Sequence, residues 1–282
     1  MPPALAALLL GATCIALSPI FVRVADVGPT ASAFWRVALA APVLWPIAAL
    51  APRRSALAHW RLFLLAGIAF AGDLAFWHWS IRFTSVANST LLANLASIFV
   101  TLAAWLFWRE RPSARFLLGL AAALAGVVLL VRTSLAFSAS ALLGDAFGVI
   151  TAAFYAGYIL AVKDLRDRGA ATLQLMAIST SITAVLLFPV ALASGEALLP
   201  ASAAGWLTLA GLAWISHCAG QGLIAYSLAH LPAAFSSVSL LFQPVMAAIF
   251  GWLFLGEALT PLQLVGGMVV LAGIYLARRA SP

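Results

Sequence analysis

WLFWRERPSARFLLGLAAALAGVVLL, residues 105–130, has a second version further down the chain: WLFLGEALTPLQLVGGMVVLAGIYL, residues 252–276. A shift of 147 residues lays 84–132 on 231–279 without a gap, with 13 identities in 49 positions. So Ala- and Leu-rich a chain gives only about 5 by accident. Trp105-Leu106-Phe107 meets Trp252-Leu253-Phe254, Glu110 meets Glu257, and Gly119 meets Gly266. Leu124-Ala125-Gly126 meets Leu271-Ala272-Gly273, and Arg132 meets Arg279. Matches on Trp, Glu, Gly and Arg are rarely accidental between apolar segments. The chain therefore reads as a duplication, 1–140 followed by 141–282, although the similarity fades in the opening part of each copy.

Both copies are built for lipid. Of 282 residues 65% are hydrophobic and 8% charged, and the mean hydropathy is +1.09. Soluble domains carry about 25% charged residues, and this chain has too little polar surface to cover a globule in water. Apolar runs set against turn residues predict ten spans, at 4–24, 30–50, 60–82, 86–108, 113–131, 142–163, 171–193, 205–228, 232–255 and 261–278. Gly28-Pro29, Pro52, Pro112, Gly169, Pro200, Pro232 and Pro261 fall at or beside the joints. No length remains for a soluble domain. The first 24 residues carry no Lys or Arg ahead of their apolar run, so they are expected to stay in place as a span rather than serve as a signal peptide.

The net charge of +7 does not mark a nucleic-acid binder, because the positives are scattered among apolar runs. They sort by loop instead. With the N-terminus cytoplasmic, Arg53, Arg54, Arg61, Arg109, Arg111, Arg115, Lys163, Arg166, Arg168, Arg278 and Arg279 all lie inside. Only Arg23, Arg82 and Arg132 lie outside, and eleven against three places both ends in the cytoplasm. Cys14 and Cys218 fall inside apolar segments and imply neither a disulfide nor a metal site.

Five spans per copy is an odd number, so the second copy enters the membrane upside down. Inverted copies are related by a pseudo-two-fold axis in the membrane plane. Exchanging their conformations turns an inward-open cavity into an outward-open one, with substrate held near the midplane.

This plan resembles the drug/metabolite transporter superfamily, EamA-type, as do FWRVALAAPVL (Phe34 to Leu44) and the two quoted joints. The resemblance covers essentially the whole chain and is greatest to YddG-type exporters of aromatic amino acids. It implies an all-α fold of ten transmembrane helices as two inverted five-helix repeats, in a bacterial inner (plasma) membrane. It also gives Arg36 the expected role of a structural or gating partner for a carboxylate. Many relatives have proline in the middle of the fourth span where this chain has Ser97, whereas the second copy keeps Pro244. A symmetric bend of both spans therefore does not follow from the sequence.

Ionisable groups at the bilayer centre cost about 2.5–3.5 kcal/mol to insert and so ask for a reason. Asp73 lies about thirteen residues into the third span. It reads either as a coupling-ion or substrate-amine site, or as a carboxyl held between helices. His78, flanked by Trp77 and Trp79, reads as a substrate contact or as a histidine satisfied by a backbone carbonyl. Arg36 lies near enough to the outer end of its span to snorkel. His217 and Gln221, one turn apart in the eighth span, share a face. With Asn88, Asn94, Tyr155, Tyr158 and Gln243 they make a set able to line one pocket, though each alone equally suits interhelical hydrogen bonding. Glu110 and Glu257 are expected to fix helix joints. Ser18-Pro19 and Gln243-Pro244 place polar groups beside backbone that proline frees.

The function expected is a secondary transporter exporting small amphipathic metabolites, chiefly aromatic and other apolar amino acids. Cationic drugs or nucleobase-like metabolites are the alternative cargo. No P-loop, HExxH, GxGD or GxSxG pattern is present, which argues against ATP hydrolysis by that route and against an intramembrane enzyme. No cofactor, metal or nucleic acid is expected. The expected partners are a small-molecule substrate and membrane lipid, with the chain as a monomer.

Overall fold

The computed structural model describes residues 3–50, 59–84, 86–109, 111–131 and 139–281. Pro52, Arg53, Arg54, Glu110 and Arg132, used above, lie outside the described residues. Among the described residues ten helices are long and apolar enough to cross a membrane. They are α1 (Pro3–Val24), α2 (Pro29–Ala49), α3 (Trp60–Phe83), α4 (Asn88–Phe107) and α5 (Ala114–Val131), then α6 (Leu142–Asp167), α7 (Thr172–Ala193), α8 (Ala203–Ser227), α9 (Ala233–Leu255) and α10 (Pro261–Ala280). Each predicted span is recovered within a few residues. Their outer faces expose Leu106, Phe107, Val185, Leu207 and Leu253, a surface suited to hydrocarbon.

Local chemistry places the ends. Pro29 and Pro261 open α2 and α10, where a missing N–H costs nothing. Thr260 and Gln263 form a reciprocal capping box at α10. Arg109 and Gly256 close the helical runs of α4 and α9 in the left-handed conformation, with φ of 57° and 68°, and they are 147 residues apart.

Several spans are interrupted. Within α4 the helical segments are Val86–Ala93 and Ala96–Trp108, and within α9 they are Ala233–Ser239 and Phe242–Leu255. In α9 Pro244 supplies no N–H. In α4 side chains take its place: the Ser97 hydroxyl donates to the Asn94 carbonyl at 2.9 Å, and the Asn94 amide donates to the Thr90 carbonyl at 2.7 Å. Both helices are thus broken at corresponding positions of the chain, within one residue of the 147-residue offset, although Ser97 stands where α9 has Pro244. The Ser97 N–H keeps a single bond, to the Asn94 carbonyl at 3.2 Å, so Ser97→Pro is expected to cost about 1 kcal/mol. Thr101→Pro, one turn on in regular helix, is expected to cost about 3 kcal/mol or more. Thermal unfolding of the detergent-solubilised variants checks the contrast. In α8 the stretch Leu212–Gln221 winds as a π-helix, a form that often accompanies function.

Glycines set the closest packings between the halves. A methyl group on Gly119 would lie 2.8 Å from the Gly273 carbonyl oxygen, and one on Gly126 would lie 2.7 Å from that of Gly266. As position along α5 rises, its partner on α10 falls, so these helices run antiparallel with backbones in contact. Gly11 of α1 meets Gly220 of α8 in the same manner, and α3 packs along α6.

Candidate functional site

Where α1, α2, α3 and α4 meet α6, α8 and α9, mid-helix, they leave a cavity of about 100 Å³. Its polar wall is Arg36, Asp73, Asn94, Tyr155, Gln221 and Gln243, joined by Ser18 and Thr90. Its apolar wall includes Ile15, Leu74, Trp77 and Ala247. Seven sequence candidates therefore line one space: Arg36, Asp73, Trp77, Asn94, Tyr155, Gln221 and Gln243. Thr90 was missed, because a threonine that usually bonds its own helix gives little signal in an apolar span.

The wall is under-satisfied. The Ser18 hydroxyl, Arg36 Nε, Thr90 hydroxyl, Tyr155 hydroxyl and Gln221 Oε1 are buried without a hydrogen-bond partner among the described residues. Tyr155 sits beside Gln221 and Gln243 but meets neither in bonding geometry. These five polar atoms are left to pair with whatever occupies the cavity. Arg36 does not snorkel: it is only 4% exposed, and among the described residues it makes no ion pair within 4.0 Å. Its guanidinium lies 6.0 Å from the centre of the Phe70 ring. Asp73 likewise makes no ion pair or hydrogen bond among the described residues.

Three candidates lie behind the wall rather than in it. His78 is fully buried and donates from Nδ1 to the Leu74 carbonyl at 2.6 Å, the bond expected of a structural histidine. His217, 1% exposed, turns its Nε2 to the Thr180 hydroxyl at 2.7 Å. Tyr158 packs on Phe70 with ring centres 4.7 Å apart, and His217 packs on the same ring at 5.2 Å. Both support the ring under Arg36. Asn88 also leaves the cavity and donates to Asp145 and to Thr84.

Among the described residues the cavity opens toward the end away from the termini. Pro19, Thr90, Pro244 and Ala247 form a neck into a vestibule of about 430 Å³, rimmed by Arg23, Leu255, Glu257 and Gln263. Toward the end that carries both termini, Leu8, Ile159, Val162, Leu165 and Val238 fill the interior, each at most 1% exposed. A void of about 10 Å³ beneath Asn94, Tyr155 and Gln243 continues the line of the cavity into this plug.

At the open end, polar contacts tie the halves together. Glu257 does more than fix its joint: its carboxylate pairs with Arg23 at 2.5 Å across the vestibule rim. Glu196 accepts from the Thr30 N–H (2.8 Å), the Ala31 N–H (3.1 Å) and the Thr30 hydroxyl (3.0 Å), and pairs with Arg82 at 3.3 Å. It thereby caps α2 from the α7–α8 connection. Glu196, with its side chain 11% exposed, should matter far more than Glu257, at 53%. Glu196→Ala is expected to cost about 3 kcal/mol, and Glu257→Ala no more than about 1 kcal/mol, in thermal unfolding.

Ten spans around a mid-membrane cavity reached from one end define an integral membrane protein of the transporter type. The chain belongs to the EamA-like transporter family, which matches residues 2–132 and 142–279. It is similar to an uncharacterized transporter of Archaeoglobus fulgidus, 29% identical over 273 residues, 91% of each chain. It is also similar to a probable terminal-alkyne amino-acid exporter of Streptantibioticus cattleyicolor, 29% identical over 72% of this chain and 68% of that one. A pseudopaline exporter of Pseudomonas aeruginosa is 28% identical over 77% of this chain and 75% of that one. A solved protein crystal structure has the same fold, with a TM-score of 0.80 over 99% of this chain and 96% of that chain at 16% identity.

Proposed function

We propose that the protein is a secondary exporter of small amphipathic metabolites, chiefly aromatic and other apolar amino acids. It would work by alternating access between two inverted five-helix halves. The observation that carries this reading is the cavity itself, lined by residues of both halves and opening, among the described residues, into a vestibule at one end. Inversion is supported by the glycine contacts. Gly119 corresponds to Gly266 and Gly126 to Gly273 in the repeat, and the pairs formed are Gly119–Gly273 and Gly126–Gly266. Each contact is the image of the other, as a two-fold axis requires. The matched breaks of α4 and α9 and the matched left-handed ends agree with it.

The balance of loop charges supports placing the open end outside and both termini in the cytoplasm of a bacterial plasma membrane. The aromatic and aliphatic wall of Trp77, Tyr155, Ile15 and Leu74 suits an apolar side chain, and the amino-acid exporter among the relatives agrees. Arg36 in the wall disfavours a purely cationic drug.

Counterflow of labelled tryptophan or phenylalanine in proteoliposomes, with and without a pH gradient, tests the proposal. Saturable exchange is expected. Absence of saturable flux for any amino acid would sink the substrate assignment, though not the transporter class.

A further inference from the structure

We infer that Arg36 and Asp73 are the two poles of a zwitterion site. Arg36 takes the carboxylate and Asp73 the ammonium of a free α-amino acid whose side chain lies on the apolar wall. This deepens the proposed function and rests on the cavity being the substrate site.

Among the residues lining the cavity, Arg36 and Asp73 are the two that carry formal charge. A structural role would normally join them, since charges out of water are tolerated when paired and hydrogen-bonded. They are not joined, being farther apart than 4.0 Å and without other ion-pair partners among the described residues. Arg36 is 4% exposed and keeps Nε without a partner. A guanidinium presents a planar fork that matches a carboxylate in two-point contact. Phe70 lies against that fork, and Tyr158 and His217 hold Phe70 from behind. The positive pole thus sits over a ring that is held from behind. The negative pole projects from α3 one residue before Leu74 and four before Trp77, both in the apolar wall.

The two poles sum to zero charge, so the ligand that neutralises both is itself neutral overall and charged at two ends. An amine without a carboxylate leaves Arg36 bare, and an acid without an amine leaves Asp73 bare. Sites built to pair a buried polar group reject analogues that lack it far more strongly than apolar pockets reject a missing methylene. The discrimination follows from charge count as much as from shape.

The test uses purified full-length protein with L-tryptophan, tryptamine and indole-3-propionate. Each is measured by shift of the melting temperature in detergent and by competition against labelled tryptophan in proteoliposomes. The same two assays are run with phenylalanine and leucine and their decarboxylated and deaminated analogues. Amino acids are expected to bind, with the amines and acids weaker by about 100-fold or more. Asp73→Asn is expected to lower affinity for the amino acid about 100-fold and to bring indole-3-propionate within about 10-fold of it. Arg36→Gln is expected to do the same for tryptamine. Arg36→Lys and Asp73→Glu, which keep the charges, should retain the wild-type ranking, and size-exclusion profiles report folding of all four variants.

Equal binding of tryptophan and either analogue by the wild-type protein would overturn the zwitterion site and leave the transporter reading standing. So would an Asp73→Asn protein that loses pH dependence of flux with the ranking of analogues intact, since Asp73 would then serve coupling. Selective binding of amino acids without flux would support the site and overturn the transport reading. No binding of any amino acid in either assay would overturn the site.

Discussion

Replacing Gly126 by leucine is expected to prevent the protein from accumulating in folded form. The new Cβ alone would lie 2.6 Å from the Val270 nitrogen and 2.7 Å from the Gly266 oxygen, both backbone atoms. Overpacking against side chains costs about 1–3 kcal/mol. Here no side chain can rotate away, so the loss should exceed the upper end of that range. Gly266→Leu should be equally harmful, since its added Cβ meets the Gly126 oxygen at 2.8 Å. Gly222→Ala is the control. An added methyl there finds nothing within 4 Å, and alanine gains up to about 1 kcal/mol over glycine inside a helix. Fluorescence-detected size exclusion and thermal melting separate the three. A Gly126→Leu protein with wild-type yield and melting temperature would refute the backbone contact between α5 and α10.

Ala247→Trp is expected to reduce flux to that of liposomes without protein while leaving folded yield unchanged. Ala247 lines both the cavity and the vestibule, together with Pro19, Thr90 and Pro244, so it sits where one opens into the other. The neck faces open space, and an indole fills it without entering the packed interior. Ala247→Ser, which keeps the size, should transport normally. Flux through Ala247→Trp at more than about a tenth of the wild-type rate would mean that the substrate passes elsewhere, since loss of access should act on every turnover.

The spans were legible because a bilayer imposes a length and a polarity on every segment that crosses it. The repeat was legible because Trp105, Glu110 and Gly126 are residue types that rarely recur by accident. Which glycine touches which was not: alignment pairs Gly126 with Gly273, whereas the fold seats Gly126 on Gly266. In the site, a polar group at mid-depth singled out Arg36, Asp73, Asn94 and Gln221, which line the cavity. The same rule singled out His78, His217 and Tyr158, which pack behind the cavity wall. Depth can be read from hydropathy, but the direction a side chain faces depends on neighbours that sequence does not rank. The Leu74 carbonyl holds Nδ1 of His78 within its own helix, and the Thr180 hydroxyl turns His217 toward α7. The break of α4 was hidden for a related reason, since Ser97 and Asn94 achieve with hydroxyl and amide what Pro244 achieves by lacking an N–H.

The wide winding of Leu212–Gln221 makes α8 sensitive to chain length as well as to residue type. A π-helix holds more residues per turn than the α-helix on either side, so the segment stores surplus chain between its two ends. Deleting one residue between Leu212 and Ser216 would let the backbone settle into ordinary winding without opening a gap. The same deletion in the regular helix ahead of it, between Ala203 and Gly211, would with the wide winding kept rotate everything beyond by roughly 100°. Gln221 would swing off the cavity, and the Ser227 hydroxyl would lose the Ala4 carbonyl it reaches at 2.9 Å. Such a deletion would alter no lining residue and still empty the wall of its amide. In α8 the angular phase of the chain is therefore as much a determinant of the cavity as the side chains it presents.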